Sequence, residues 1–147
     1  MKQLFVGSDH AGFSLKKNLL SQLAAEFPDW KVEDRGTQDT SSVDYPVFAK
    51  RVADKVIAHQ ARGILVCGSG IGMGIAANKV AGVRASVAWD VTSARLSREH
   101  NNSNILCLGE RLLGAEVARE ILRVWLTTEF LHGRHIRRME LISEMEA

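Results

Sequence analysis

The 147-residue chain contains no run approaching the roughly 18 apolar residues of a membrane span, so no transmembrane helix is expected. A large excess of either charge is also lacking. Nineteen basic side chains stand against seventeen acidic ones, for a net charge of +2, with no basic tail or aromatic-basic stripe. Nucleic acid is therefore not an expected partner. The only cysteines, Cys67 and Cys107, both sit in apolar runs that read as buried strands, where a bridge would need an unusual close approach. Free thiols in a reducing compartment are the expectation. Before Gly7 there is one lysine and a three-residue apolar run, well short of a secretory core, and this favours a cytoplasmic location. Repeats, linkers and low-complexity segments are missing too, leaving one domain over residues 1–147.

The chain does have a regular alternation of short apolar runs with longer amphipathic stretches, the pattern of a parallel sheet covered by helices. Leu4 to Val6, Val32 to Asp34, Ile64 to Cys67, Val83 to Trp89 and Ile105 to Leu108 are the candidate strands. Phe13 to Phe27, Val47 to Ala61 and Ala115 to Leu126 carry apolar residues at helical spacing; Pro28 stops the first helix, and Asp44 or Tyr45, just before Pro46, marks the start of the second. This predicts an α/β fold: a five-stranded parallel sheet with helices on both faces, Rossmann/flavodoxin-like, in the order 2-1-3-4-5. Ligands in such sheets bind at the carboxyl ends of neighbouring strands, here after Val6 and after Cys67.

Both places carry unusual residues. Cys67 is followed by Gly68-Ser69-Gly70-Ile71-Gly72-Met73-Gly74, whose glycines let backbone N–H groups approach an anion. The spacing fits neither a dinucleotide fingerprint, since Met73 fills a needed glycine position, nor a Walker loop, although Asp90 lies at a distance suited to a ribose. A tight turn with close helix packing is the competing reading. Cys67, beside those amides, is a candidate base or nucleophile, or else a buried core cysteine; Cys107 reads as core. Asp9 and His10 follow the first strand, where Asp9 could also be a helix cap. Arg111 opens onto the same edge, with a plain surface arginine as the alternative. Arg134 and Arg138 are four apart and share one helical face, suited either to clamping a phosphate or to solvation, whereas Arg137 points elsewhere. His132 and His135 have metal spacing but no third ligand, and His100 by itself reads as a residue in a last helical turn.

Taken together these segments resemble the ribose-5-phosphate isomerase B family, which includes galactose-6-phosphate and allose-6-phosphate isomerases. The resemblance rests on Gly7-Ser8-Asp9-His10-Ala11-Gly12-Phe13, Asp44-Tyr45-Pro46, Cys67-Gly68-Ser69-Gly70-Ile71-Gly72, Ala76-Ala77-Asn78-Lys79, Ser97-Arg98-Glu99-His100-Asn101 and Gly133-Arg134-His135. It implies that Cys67 moves a proton between the first two sugar carbons and that His100 helps open the furanose ring. By the same carry-over Asp9, His10, the amides of Gly68, Ser69, Gly70, Ile71 and Gly72, Asn101, Arg111, Arg134 and Arg138 contact a phosphorylated sugar, and Tyr45 lines the pocket. Relatives that use a glutamate base have it where Met73 stands here, so this chain is similar to the thiol branch. No metal and no other cofactor is implied.

His100 precedes the fifth strand while Cys67 ends the third, which puts them on opposite edges of a parallel sheet. Sites shared between the subunits of a homodimer or homotetramer are therefore expected, with the helix over 133–147 packing on a neighbour. Two competing classes remain: a non-catalytic flavodoxin-like module for a nucleotide or phosphorylated regulator, and a thiol hydrolase, for which no third orienting residue is evident. An allose, galactose or tetrose phosphate is the alternative substrate.

Overall fold

The computed structural model describes residues 1–146. Its strands are β1 (Lys2–Ser8), β2 (Trp30–Asp34), β3 (Arg62–Cys67), β4 (Ala85–Val87) and β5 (Ile105–Gly109). The helices are α1 (Phe13–Glu26), α2 (Tyr45–His59), α3 (Ile71–Ala77), α4 (Val91–Asn101), α5 (Ala115–Thr127) and α6 (Arg134–Glu144). All five strands pair in parallel. One apolar cluster packs Leu15, Leu19 and Leu23 of α1 and Trp125 of α5 on one face of the sheet, and a second packs Phe48 and Val52 of α2 and Met73 of α3 on the other.

Local chemistry explains the elements. On α5, Ala118, Ile121, Leu122, Trp125 and Leu126 recur at i, i+3, i+4, i+7 and i+8, and all are buried. Burying each large member of that stripe is worth about 1.5–3 kcal/mol. α1 stops just before Pro28, and Pro46 sits in the first turn of α2. At the start of α4, Asp90 Oδ1 accepts from the Ser93 amide at 2.6 Å while Ser93 Oγ accepts from the Asp90 amide at 3.3 Å, a capping box. Asp90 is thereby committed to its helix, and those hydrogen bonds hold its carboxyl below the usual carboxylate range.

The strand order is β2-β1-β3-β5-β4, which corrects the expected 2-1-3-4-5. Burial gives the reason. Every residue of β5 is buried, as a central parallel strand requires, whereas Ala85-Ser86-Val87 is half-exposed and short, as suits an edge. β4 is accordingly only the middle of the run expected from Val83 to Trp89. The exchange has a consequence for the site: Cys67 is in register with Gly109, so the segments that follow β3 and β5 emerge side by side.

Candidate active site

The turn after β3 is built around one sulfur. Cys67 is buried, and its Sγ accepts a hydrogen bond from the Gly70 amide at 3.1 Å, which fixes the side chain beneath the loop. Gly70 adopts φ +80°, and a Cβ there would lie 2.9 Å from the Leu108 carbonyl carbon, so only glycine allows this approach to β5. The Glu110 amide donates to the Cys67 carbonyl at 2.9 Å, and the Arg111 amide to that of Gly68 at 3.0 Å. These two bonds zip the segment after β5 onto the loop and hold Arg111 over Gly68. Cys107 stands apart as core: complete burial, and secondarily the neighbouring Cys67, push its thiol well up. Both cysteines are free.

The end of β1 closes the other side. Asp9 is buried, and its Oδ1 accepts from the Gly12 amide at 3.0 Å, bracing the turn into α1. His10 Nδ1 accepts from the Val43 amide at 3.1 Å, which leaves Nε2 as the protonated nitrogen of the neutral ring, a donor directed away from Val43. Tyr45 leans over the loop so closely that a Cβ on Gly72 would come within 2.7 Å of its ring. Asp9, His10, Tyr45, Cys67, Gly68, Ser69, Ile71, Gly72 and Arg111 together line a cleft of about 580 Å³. Gly70 contributes from beneath through its amide. Ala11, Ile75 and Leu112 also line the cleft and were missed from sequence, although Ile75 is one turn beyond Ile71. Glu110 was missed as well; its Oε1 accepts from the Leu15 amide at 2.6 Å, tying the segment after β5 to the start of α1.

His100, Asn101, Arg134 and Arg138 are not in that cleft. His100 occupies the last turn of α4, where its ring stacks on that of His135 with centroids 4.5 Å apart. Asn101 Nδ2 lies 3.9 Å from Met139 Sδ of α6, and the Leu131 amide donates to the Glu99 carbonyl at 3.1 Å, so α6 and its lead-in are fastened to α4. Arg134 and Arg138 are exposed on α6. This cluster belongs to the opposite edge of the sheet. Just after α4, the Asn104 carbonyl accepts from the Gly63 amide at 2.8 Å, and from Gly63 to Cys67 the strand climbs about 13 Å toward the cleft. Of the segment expected as a helix over 133–147, Ala147 lies outside the described residues. His135 is buried here, and that desolvation, followed by the nearby His100, Arg134 and Arg138, holds its pKa below the ordinary imidazole value.

The chain matches the family model described as Ribose/Galactose Isomerase over residues 4–142. Ribose-5-phosphate isomerase B of Escherichia coli is 42% identical over 147 residues, covering 99% of this chain and 97% of that protein. D-erythrulose-4-phosphate isomerase 2 of Mycolicibacterium smegmatis is 44% identical over 132 residues, covering 87% and 86%. The crystal structure of ribose-5-phosphate isomerase B from Mycoplasma genitalium with bound ribulose-5-phosphate superposes with a TM-score of 0.92 at 39% identity, covering 98% of this chain and 95% of that one.

Proposed function

Since the chain belongs to the ribose/galactose isomerase family, we propose that it is an aldose-ketose isomerase interconverting ribose 5-phosphate and ribulose 5-phosphate through an enediolate. The observation that carries this reading is the placement of Cys67: a sulfur held by the Gly70 amide, in a cleft lined by the glycine loop. In the forward direction the Cys67 thiolate removes the proton from C2 of the open-chain aldose, and the resulting thiol returns it to C1, while the hydroxyl proton on O2 passes to O1. The oxygen that gains charge in between needs donors that are already in place; the Gly70 amide is given to Cys67 Sγ and that of Ile71 to Ser69 Oγ, so the amides of Gly68, Ser69 and Gly72 meet that need at the start of α3. His10 and Arg111 supply further donors on the same side, toward the phosphate.

His100 would open the furanose ring, with Asn101 beside it and with Arg134 and Arg138 clamping the phosphate, all four entering from a neighbouring subunit. Two features support a shared site. The four residues occupy the edge opposite Cys67, and each half is bordered by exposed apolar side chains, Ile71, Ile75 and Leu112 at the cleft and Ile136, Leu141 and Ile142 on α6. A two-fold arrangement in which α6 packs on the partner would cover both sets and complete two equivalent sites. No described helix is long and apolar enough to cross a membrane. Two free thiols fit a reducing, cytoplasmic setting.

A four-carbon substrate is the second reading, favoured by the similarity to the erythrulose-phosphate enzyme. Turnover measured on tetrose, pentose and hexose phosphates decides between them. The highest kcat/KM on ribose 5-phosphate is the expected result; a tetrose phosphate ahead of it would reassign the substrate, and no turnover on any of them would favour a binding module.

A further inference from the structure

Below the sheet, at the edge opposite the Cys67 cleft, lies a second cavity of about 340 Å³ whose walls include Gln60, Arg62, Arg84, Arg98, Asn102 and Asn104. We propose that this cavity binds a phosphate dianion, free or as a phosphomonoester, between the guanidinium groups of Arg62, Arg84 and Arg98. This inference does not depend on the isomerase reading.

Three cations converge here, and none forms an ion pair among the described residues. Their protein acceptors are neutral. Arg62 Nη1 donates to the carbonyls of Trp125 and Leu126 at 3.2 and 3.3 Å. Arg84 donates through Nε to the Asn102 carbonyl at 2.9 Å and through Nη1 to that of Gly82 at 3.3 Å. Arg98, only 4% exposed, donates through Nε to the Thr128 carbonyl at 3.2 Å and through Nη1 to Asn102 Oδ1 at 3.0 Å and the Ser103 carbonyl at 2.5 Å. These bonds fix the three forks in position, and no protein hydrogen bond among the described residues engages any of the three Nη2 groups. The Trp125 and Leu126 carbonyls at the end of α5, with the Trp30 and Trp125 rings at 5.6 and 5.4 Å, offset part of the Arg62 charge, but no carboxylate pairs with any of the three among the described residues, so the cavity wall holds like charges at close quarters.

The nearest acidic groups do not resolve this. Glu146 attracts Arg84 but directs its carboxylate to the Gly82 amide, at 3.0 and 2.9 Å, and Glu129 acts on Arg62 and Arg98 without an ion pair to either. The cost is visible in Arg98, whose pKa is drawn down to about 10, first by burial and then by Arg62. A tetrahedral dianion presents oxygens in several directions and can accept from forks on three different elements at once, with Asn102 Nδ2 as a further donor; a carboxylate presents two oxygens in one plane.

The test is to titrate the full-length protein with sodium phosphate at constant ionic strength and follow the arginine Nε–Hε resonances by NMR. Saturable shifts are expected at Arg62, Arg84 and Arg98, separately from those of Arg111, Arg134 and Arg138 at the isomerase site. Arg84→Gln should weaken the response of Arg62 and Arg98 by about tenfold or more and remove most of the phosphate-induced rise in Tm that belongs to this site, while kcat is unchanged. A parallel titration with ribose 5-phosphate separates the sources: equal affinities assign the inorganic ion, and tighter binding of the ester assigns the metabolite. Shifts that grow linearly, that chloride reproduces, or that survive undiminished at Arg62 and Arg98 in the Arg84→Gln protein would overturn the site.

Discussion

The imidazole rings of His100 and His135 stack with centroids 4.5 Å apart and planes 17° from parallel, joining the last turn of α4 to the first turn of α6. The contact tolerates two neutral rings far better than two charged ones. His135 has a lowered pKa, chiefly through burial and then through His100, Arg134 and Arg138, with Glu99 opposing. Its folded form therefore binds protons less readily than the unfolded chain does. The stability this contributes is present in full above the ordinary imidazole pKa of about 6.5 and is lost as pH falls through that value toward the lowered one. Thermal melts from pH 7.5 to 5 should show Tm falling in that window. In His135→Phe, which keeps a ring in the stack but cannot titrate, the slope should flatten. An unchanged slope would place the pH dependence elsewhere.

Cys67→Ala should abolish isomerisation and leave substrate affinity nearly intact, because a base acts in the transition state and adds little to ground-state binding. Isothermal titration beside turnover reads both quantities. Alkylation of the wild type by iodoacetamide should inactivate it, and phosphorylated sugar should slow that reaction. Wild-type turnover in the alanine variant would remove the sulfur from the chemistry.

Arg138→Ala should weaken binding of a phosphorylated substrate by about 1.5–3 kcal/mol, while Arg137→Ala changes it little. α6 begins at Arg134, so position 138 returns to the same face one turn later and position 137 does not stay in line with it. KM and direct binding of the two variants provide the comparison. A larger loss in Arg137→Ala would mean that the phosphate approaches from a different side of α6.

Lys16 lies on α1 with a fully buried side chain. Its Nζ donates to Asp34 Oδ1 at 2.8 Å and also to the Thr37 carbonyl. It thereby pins the segment after β2 beside Ser8, whose amide donates to the Gly36 carbonyl at 2.8 Å. Lys16→Met should cost about 2 kcal/mol, since the carboxylate and carbonyl lose a charged donor. Urea denaturation measures it, and a change within 0.5 kcal/mol, the range of ordinary surface substitutions, would show the bonds to be dispensable.

Lys16 also marks where sequence reading reaches its limit. Leu15, Leu19 and Leu23 announce the buried face of α1 by spacing, but nothing in that spacing says that the lysine beside Leu15 turns inward to a carboxylate eighteen residues away. The strands and helices were legible because hydrophobic period is a local property. Asp9, His10, Arg111 and the loop after Cys67 were legible because chain direction places every βα turn at one edge of a parallel sheet, whereas Tyr45 came only from the family resemblance. The order of β4 and β5 is a question of which strand tolerates burial on both faces. The wholly apolar Ile105-Leu106-Cys107-Leu108 answers it, once it is weighed against Ser86 in the competing strand. Glu110 was invisible for a different reason: its partner, the Leu15 amide, comes from a helix ninety-five residues earlier, and only the finished sheet brings the two together.

The separation of Cys67 from His100 yields the last prediction. Both are required by the proposed chemistry, yet one terminates β3 at the cleft and the other ends a helix that has returned to the strands' starting edge. If each site takes Cys67 from one chain and His100 from another, then Cys67→Ala and His100→Ala proteins, each inactive alone, should complement. A mixed dimer holds one site that lacks both residues and one in which both are intact. Random reassortment of equal amounts makes about half of the dimers mixed, each with one working site of two, so activity should recover to about a quarter of the wild-type value per chain. The measurement is turnover after the two variants are unfolded together and refolded, with native mass spectrometry to count heterodimers. Heterodimers without activity would return His100 to the pocket of its own chain and require α4 to deliver it there by a rearrangement of the fold.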